Sequence, residues 1–359
     1  MNSVATERDR TLDRMRGFAM LWVVFVHVLY WGAFYTSPFT DILKSFLLFE
    51  MPLFFFITGA TNSMSRDTGY FSFVYKRFAR VLIPYWVFAA ICAVLSVGKY
   101  TLENGFDPLK SVLITGSWLV PIDRQFSNIT YLTWALWFVP VYLCIVLLIP
   151  LMKKLVGKPL QFVMFGTLLG VFVISDVLNL GFVQKISFYA LWTFAGMYYP
   201  LIREKLTSAK TRVILGAVAV LGAGVLTLLG LSGVSLDMQY NKFPPNMVFL
   251  VYSCTAMGVV GLLTPVLDSF FGKIEKTKFL GKIFEQFSVR SMTVFLYQVF
   301  AFNITLRAVA VLIPFSSPLW AVVKVIFCLV TTVLLCALLG VAFGWAEKIQ
   351  PPSLERKHK

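Results

Sequence analysis

Asp13-Arg14-Met15-Arg16-Gly17-Phe18-Ala19-Met20-Leu21-Trp22-Val23-Val24-Phe25-Val26-His27-Val28-Leu29-Tyr30 is a charged opening that runs into an apolar stretch with one histidine inside it. The run is continuously apolar, with none of the alternation of a half-buried strand, and predicts a membrane helix that begins at its charged end. Arg16 and His27 are eleven steps apart, which on a helix turns about 1100°, about 20° past three full turns, and rises about 16 Å. They therefore share a face. An ionisable group in lipid costs about 2.5 to 3.5 kcal/mol on insertion scales for the charged types, which makes His27 a functional candidate. The chain's second histidine, His358, lies in a basic tail.

The rest of the chain has the same character. Its 359 residues are 58% hydrophobic, 16% aromatic and 14% charged, with a mean hydropathy of +0.78, too apolar for a water-soluble domain. Runs of bilayer-spanning length fall at roughly 17–35, 42–61, 81–97, 132–150, 160–178, 186–202, 212–231, 246–266, 290–312 and 318–344. The expected fold is an all-α integral membrane protein with about ten transmembrane helices.

The formal charge of +15 invites a nucleic-acid reading until the charges are placed on this topology. Of the 32 Lys and Arg, 24 fall on the N-terminus, the even-numbered loops and the C-terminus. The opposite loops hold Lys44, Lys99, Lys110, Arg124, Lys185 and Lys242, and the spans hold Arg307 and Lys324. This positive-inside bias predicts cytoplasmic N- and C-termini. The charge then reports topology and contact with the lipid bilayer, not nucleic acid. No small-residue cleavage site follows the first run, so it reads as an uncleaved span. Cys92, Cys144, Cys254, Cys328 and Cys336 lie in apolar runs without metal-type spacing and read as packing residues; no metal is expected.

No repeat or low-complexity tract divides the chain. Residues 1–350 read as a single membrane domain and 351–359 as a basic cytoplasmic tail. Within the outer segment 98–131, the apolar stretch Leu109 to Val120 reads as a re-entrant or interfacial element. Residues 267–289 read as a cytoplasmic amphipathic helix lying on the membrane surface.

Three further groups bear on chemistry. Glu50, in Phe49-Glu50-Met51-Pro52, lies about twelve residues into its span, so antiparallel packing sets it at the depth of His27, roughly 16 to 18 Å. A carboxylate there would orient the imidazole, directly or through one water, in a cavity open to the cytoplasmic side. Arg77 and Arg80, three apart on one helical face, present forks suited to phosphate and with Arg16 would form a clamp. Trp134 and Trp137 would stack on sugar rings in an outward-facing pocket. Each has a structural alternative: helix packing for His27, mutual neutralisation for Glu50, topology for the arginines, and an interface belt for the tryptophans. Asp176, Arg307 and Lys324 fall toward outer helix ends, where snorkelling and pairing explain them.

Arg16-x10-His27, Phe54-Phe55-Phe56-Ile57-Thr58-Gly59, Arg77-x-x-Arg80 with Pro84, and Leu136-Trp137-Phe138, in this order, resemble the membrane-bound acyltransferase-3 family, close to its fucose O-acetylase-like branch. The resemblance spans essentially the whole chain, making 1–350 one membrane acyltransferase domain. It implies transfer of an acetyl or short acyl group from cytoplasmic acyl-CoA, with acetyl-CoA the default donor, to a hydroxyl of a cell-envelope glycan or glycolipid. A multi-pass place in the bacterial plasma (inner) membrane is implied with it. His27 would be the catalytic base, and Arg16, Arg77 and Arg80 would serve the donor or the structure of the site. Two positions depart from the pattern: Glu50 stands where many relatives of this branch carry His, and a Tyr-Leu-x-His type ending reads Phe295-Leu296-Tyr297-Gln298. Glu50 is the expected substitute. The rival reading is a proton-coupled transporter of an envelope precursor or small anion, with His27 and Glu50 as relay.

Overall fold

The computed structural model describes residues 9–32, 38–122, 129–313 and 317–349. The tail at 351–359, Arg124 and Asn128 lie outside them. Among the described residues every regular element is helical: α1 (Arg10–Trp31), α2 (Pro38–Ser45), α3 (Glu50–Ser63), α4 (Tyr70–Asn104), α5 (Pro108–Ser117), α6 (Phe138–Leu155), α7 (Leu160–Val177), α8 (Gly181–Gly196), α9 (Tyr199–Ile202), α10 (Ala209–Leu231), α11 (Met238–Asn241), α12 (Met247–Glu275), α13 (Leu280–Val289), α14 (Ser291–Leu312) and α15 (Pro318–Phe343). Eight stretches are long and apolar enough to cross a membrane: Thr40–Ser63, α4, α6, α7, α10, α12, α14 and Leu319–Phe343. The other two expected spans fall on α1, which opens with Arg10, Asp13, Arg14 and Arg16, and on α8, which is 16 residues long; neither is among the eight.

The helix α1 is the hub, in contact with α3, α12, α13, α14 and α15. Asp9 caps it, accepting from the Leu12 N–H at 3.1 Å. Arg14 ties it to α12 through Asp268 at 3.0 Å and Glu275 at 2.9 Å. Helices α3 and α8 cross at two glycines. A Cβ on Gly59 would run into the Thr193 carbonyl and one on Gly196 into the Phe56 carbonyl, so the backbones touch where side chains ordinarily keep helices apart.

The single span expected at 42–61 is two helices, interrupted at 46–49. Pro52 explains the break: inside a continuous helix its ring would clash with the Leu48 carbonyl, whereas in the first turn of α3 no N–H is needed from it. The backbone freed at the break is satisfied from neighbouring helices. Trp22 Nε1 donates to the Leu47 carbonyl and the Tyr252 hydroxyl to that of Phe46, both at 2.8 Å. Non-helical backbone at membrane depth requires such partners. The break places Glu50 at the positive N-terminal end of α3.

Two other expectations change in detail. α12 continues to Glu275, and within 267–289 the helix that follows, α13, packs into the bundle against α1, α12 and α15. Its Phe284 and Phe287 are buried, Phe284 over Gly17, because the apolar face of α13 meets α1 in place of lipid. On the other side α4 extends to Asn104, the chain reverses at Gly105 (φ 83°), and α5 folds back along α4. The end of that segment is pinned there. Trp118 Nε1 donates to Ser96 Oγ at 3.2 Å, and the Tyr85 hydroxyl to the carbonyls of Trp118 and Val120 at 2.9 Å.

Candidate active site

Two cavities meet inside the bundle. The first, ≈ 240 Å³, is lined by Arg16 of α1, Arg77 and Arg80 of α4, Thr58, Thr61 and Asn62 of α3, Tyr142 of α6, and Glu347. α4 runs unbroken through Pro84, which keeps Arg77 and Arg80 in helical register beside Arg16. Arg16 Nη1 is 3.2 Å from Asp13, and the Arg77 guanidinium lies over the Phe73 ring at 5.5 Å, contacts that hold both cations in place. Sequence reasoning missed Glu347. Its Oε1 accepts from the Thr293 N–H and hydroxyl, each at 2.6 Å, at the start of α14. Burial raises its carboxyl above the ordinary range, opposed by Thr293 and by the charges of Arg80 and Arg290.

The second cavity, ≈ 340 Å³, is within the size range of small-molecule sites. His27, Tyr30, Glu50, Trp134, Trp137, Lys185, Gln239, Lys242 and Phe243 line it. Val23, Met51 and Phe295 line both cavities and so form the partition between them. Val23 lies one helical turn before His27, between it and Arg16.

The imidazole is set by a residue from α14. His27 Nδ1 is 2.9 Å from Gln298 Oε1, and Gln298 Nε2 donates to the Phe295 carbonyl at 3.0 Å, which turns the amide oxygen toward the ring. An amide oxygen only accepts, so Nδ1 is the donor in this contact, and in the neutral ring the lone pair is then on Nε2. The ring also packs edge-on against Trp134, at 4.5 Å between centroids and 83° between planes. With Nδ1 turned to Gln298, Nε2 is the ring nitrogen left to accept a proton.

Glu50 lines the same cavity as His27, but its direct partner is another residue. The Lys242 ammonium donates to Glu50 Oε1, and Glu50 Oε2, buried like the rest of the side chain, meets no hydrogen-bond partner among the described residues. Both residues are buried, at 2% and 3% exposure, so each neutralises a charge that would otherwise stand alone away from bulk water. The direct orienting role expected of Glu50 thus goes to Gln298, because α14 brings an amide against the ring while the segment after α11 brings an ammonium to the carboxylate. Lys185 and Lys242 line this cavity, and Arg16, Arg77 and Arg80 line the other.

All seven residues expected at the site fall on these two cavities. Arg16, Arg77 and Arg80 line one, and His27, Glu50, Trp134 and Trp137 the other. Lys185 sits over the rings of Trp137 and Phe243, each at 5.8 Å. Gln298 and Lys242 were missed. The departure at 298 from a histidine-ending pattern was the available signal for the first, and the need of a buried Glu50 for a counter-charge was the signal for the second. Asp176 is taken up by Gln184 at 2.7 Å, and Asn303 by the Val299 carbonyl at 2.7 Å. Among the described residues no group of His, Cys, Asp and Glu is arranged to hold a metal ion.

A family model described as an acyltransferase domain matches residues 9–341. No curated protein matches the chain, and no solved structure does.

Proposed function

We propose a reaction from the premise that this chain belongs to the acyltransferase family whose model spans residues 9–341: transfer of an acetyl or other short acyl group from cytoplasmic acyl-CoA to a hydroxyl of a cell-envelope glycan or glycolipid. The chain is a multi-pass, membrane-type helical protein. Its motifs favour the fucose O-acetylase-like branch and a bacterial inner membrane with both termini cytoplasmic. The observation that carries the reading is a base and a cationic clamp on opposite sides of one thin partition.

The donor's phosphates bind at Arg16, Arg77 and Arg80, whose guanidinium forks suit phosphate oxygens. Its acyl-bearing arm reaches Val23, Met51 and Phe295, the wall shared with the histidine cavity. The acceptor enters the other cavity, its ring against Trp134 and Trp137. His27 Nε2 takes the proton from the acceptor hydroxyl as that oxygen bonds to the thioester carbonyl carbon. The carbon–sulfur bond breaks, the CoA thiolate leaves, and the imidazolium returns the proton to it. Gln298 accepts from Nδ1–H throughout, keeping the ring in register. Because the thioester is already activated and one base serves one shared wall, direct transfer needs no covalent enzyme intermediate.

The test is label transfer. Membranes carrying the protein, given acetyl-CoA labelled in the acetyl group, should label an envelope glycan or lipid, and mass spectrometry with and without the protein should show one added acetyl group. Unchanged envelope fractions, or label that crosses the membrane without being esterified, would favour transport instead.

A further inference from the structure

We infer that the bundle carries a phospholipid site: an apolar groove between α10 and the α1–α3 pair takes an acyl chain of a bilayer phospholipid, and Lys205, Lys210 and Arg212 beside it take an anionic headgroup. None of these residues lines the arginine or the histidine cavity, so the site stands whether or not acyl transfer is the reaction.

The groove encloses ≈ 250 Å³ and is lined by Met15 of α1, Leu53 and Ile57 of α3, Leu215 and Val218 of α10, and Met257 of α12. Its residues on α12 run from Cys254 to Thr264, ten steps or about 15 Å of helix. The walls of this elongated slot are almost wholly apolar, and the Thr264 hydroxyl is spent on the Val260 carbonyl at 2.8 Å. Water finds too few polar partners there, and a sugar or a nucleotide would leave its own polar groups unmet. A hydrocarbon chain fits. Two lining residues, Ile202 and Val218, are 38% and 40% exposed, so the slot opens on the outside of the bundle, beside a helix long and apolar enough to cross a membrane. That helix, α10, is held by α12, with Gly222 against Thr255 and Gly258 against the Leu215 carbonyl. A chain in the slot gives α10 packing against α1 and α3 that the protein's own side chains leave open.

The headgroup follows from the charges at the mouth. Ile202 and Leu206 line the slot in the segment between α9 and α10, where Arg203 reaches Asp9 at 3.6 Å and Glu204 at 3.9 Å, setting this segment beside the start of α1. Those two carboxylates answer Arg203. Lys205, Lys210 and Arg212 are exposed and, among the described residues, have no carboxylate within ion-pair reach. Arg212 lies three residues before Leu215, one turn along the slot side of α10. Three cations beside an apolar slot match a phosphodiester above an acyl chain, whereas a zwitterionic headgroup would bring an ammonium into the same patch.

A basic loop that serves topology alone would carry the same charges, and lipid binding separates the two. The full chain, delipidated in detergent, is titrated with phosphatidylglycerol or with phosphatidylcholine of the same chains, and bound lipid is counted by native mass spectrometry. Wild type should hold one phosphatidylglycerol about tenfold or more tighter than phosphatidylcholine. The triple variant Lys205→Gln, Lys210→Gln and Arg212→Gln changes exposed positions and should lose that preference. Val218→Trp fills the mouth of the slot and should weaken both lipids alike, because their chains are the same. Melting temperatures before lipid is added check the fold of each variant, and Ile202→Trp plugs the same mouth if Val218→Trp does not fold. Equal affinity of wild type for the two lipids, a preference unchanged in the triple variant, or binding unchanged by the plug would overturn the inference. A species of twice the mass that the plug abolishes would give the groove to a second copy of the chain and overturn it as well.

Discussion

His27 Nδ1 and Gln298 Oε1 lie 2.9 Å apart, and this contact decides which imidazole nitrogen is free to act as a base. Gln298→Leu removes the acceptor and leaves the ring free to turn or change tautomer. Turnover should fall about 10- to 100-fold, within the span of general-base effects, with acceptor KM changed little. Gln298→His, which keeps an accepting nitrogen, should retain most of the activity. Steady-state kinetics on the two variants check this, and equal turnover in Gln298→Leu and wild type would remove the orienting role.

His27→Ala takes the base itself away, along with its contacts to Gln298 and Trp134. Turnover should drop by at least about a hundredfold in protein that is still folded at the assay temperature, which its melting temperature checks. Normal turnover in the purified variant would end the assignment.

At the arginine cavity, Arg77→Ala or Arg80→Ala should each weaken binding of a non-hydrolysable acyl-CoA analogue about tenfold or more, as expected for loss of a charge-assisted hydrogen bond. Sugar binding should hardly change. Arg→Lys should recover only part of the donor affinity, since an ammonium lacks the bidentate fork. Calorimetric titrations that return equal donor affinities would leave the arginines with a topological role alone.

The partition gives a different signature. Phe295 lines both cavities, and Phe295→Trp adds bulk to the shared wall. Donor and sugar should each bind with nearly wild-type affinity while transfer between them slows at least about tenfold, because a misplaced reacting pair is heavily penalised. A variant that transfers at the normal rate would show that the acyl group crosses elsewhere.

Glu347 supplies a pH dependence. Burial raises its folded-state carboxyl above the unfolded value, so the unfolded chain loses its proton first as pH rises. The stability contribution of Glu347 is therefore best below the ordinary glutamate range, declines as pH climbs to the raised folded value, and is level above it. Glu347→Gln has no such titration. Its melting temperature relative to wild type should rise across that acid window and then stay constant, which a pH series of thermal melts measures; a constant difference from acid to neutral pH would contradict it.

The all-helical, membrane-type architecture was legible in the chain because its causes are local. Continuous apolar runs of bilayer length and the need to satisfy backbone hydrogen bonds within each segment admit helices and little else. The common face of Arg16 and His27, and that of Arg77 and Arg80, follow from helical periodicity in the same way. Even the break before Glu50 had a local signal in Pro52, although the apolar run across it read as one span.

Which polar residue meets which was settled only by tertiary packing. His27 takes Gln298 from 271 residues away, and Glu50 takes Lys242 from 192 residues away. Depth along two helices, which is all that spacing supplies, placed Glu50 and His27 on one cavity but says nothing of rotation about each helix axis. That rotation is fixed by contacts with no periodic signature: the Gly59–Gly196 crossing of α3 and α8, the carbonyls of Phe46 and Leu47 taken up by Tyr252 and Trp22, and the seating of α14 beside α1. A buried charge accepts whichever counter-charge these contacts bring within reach, and here they brought an ammonium to the carboxylate and an amide to the imidazole.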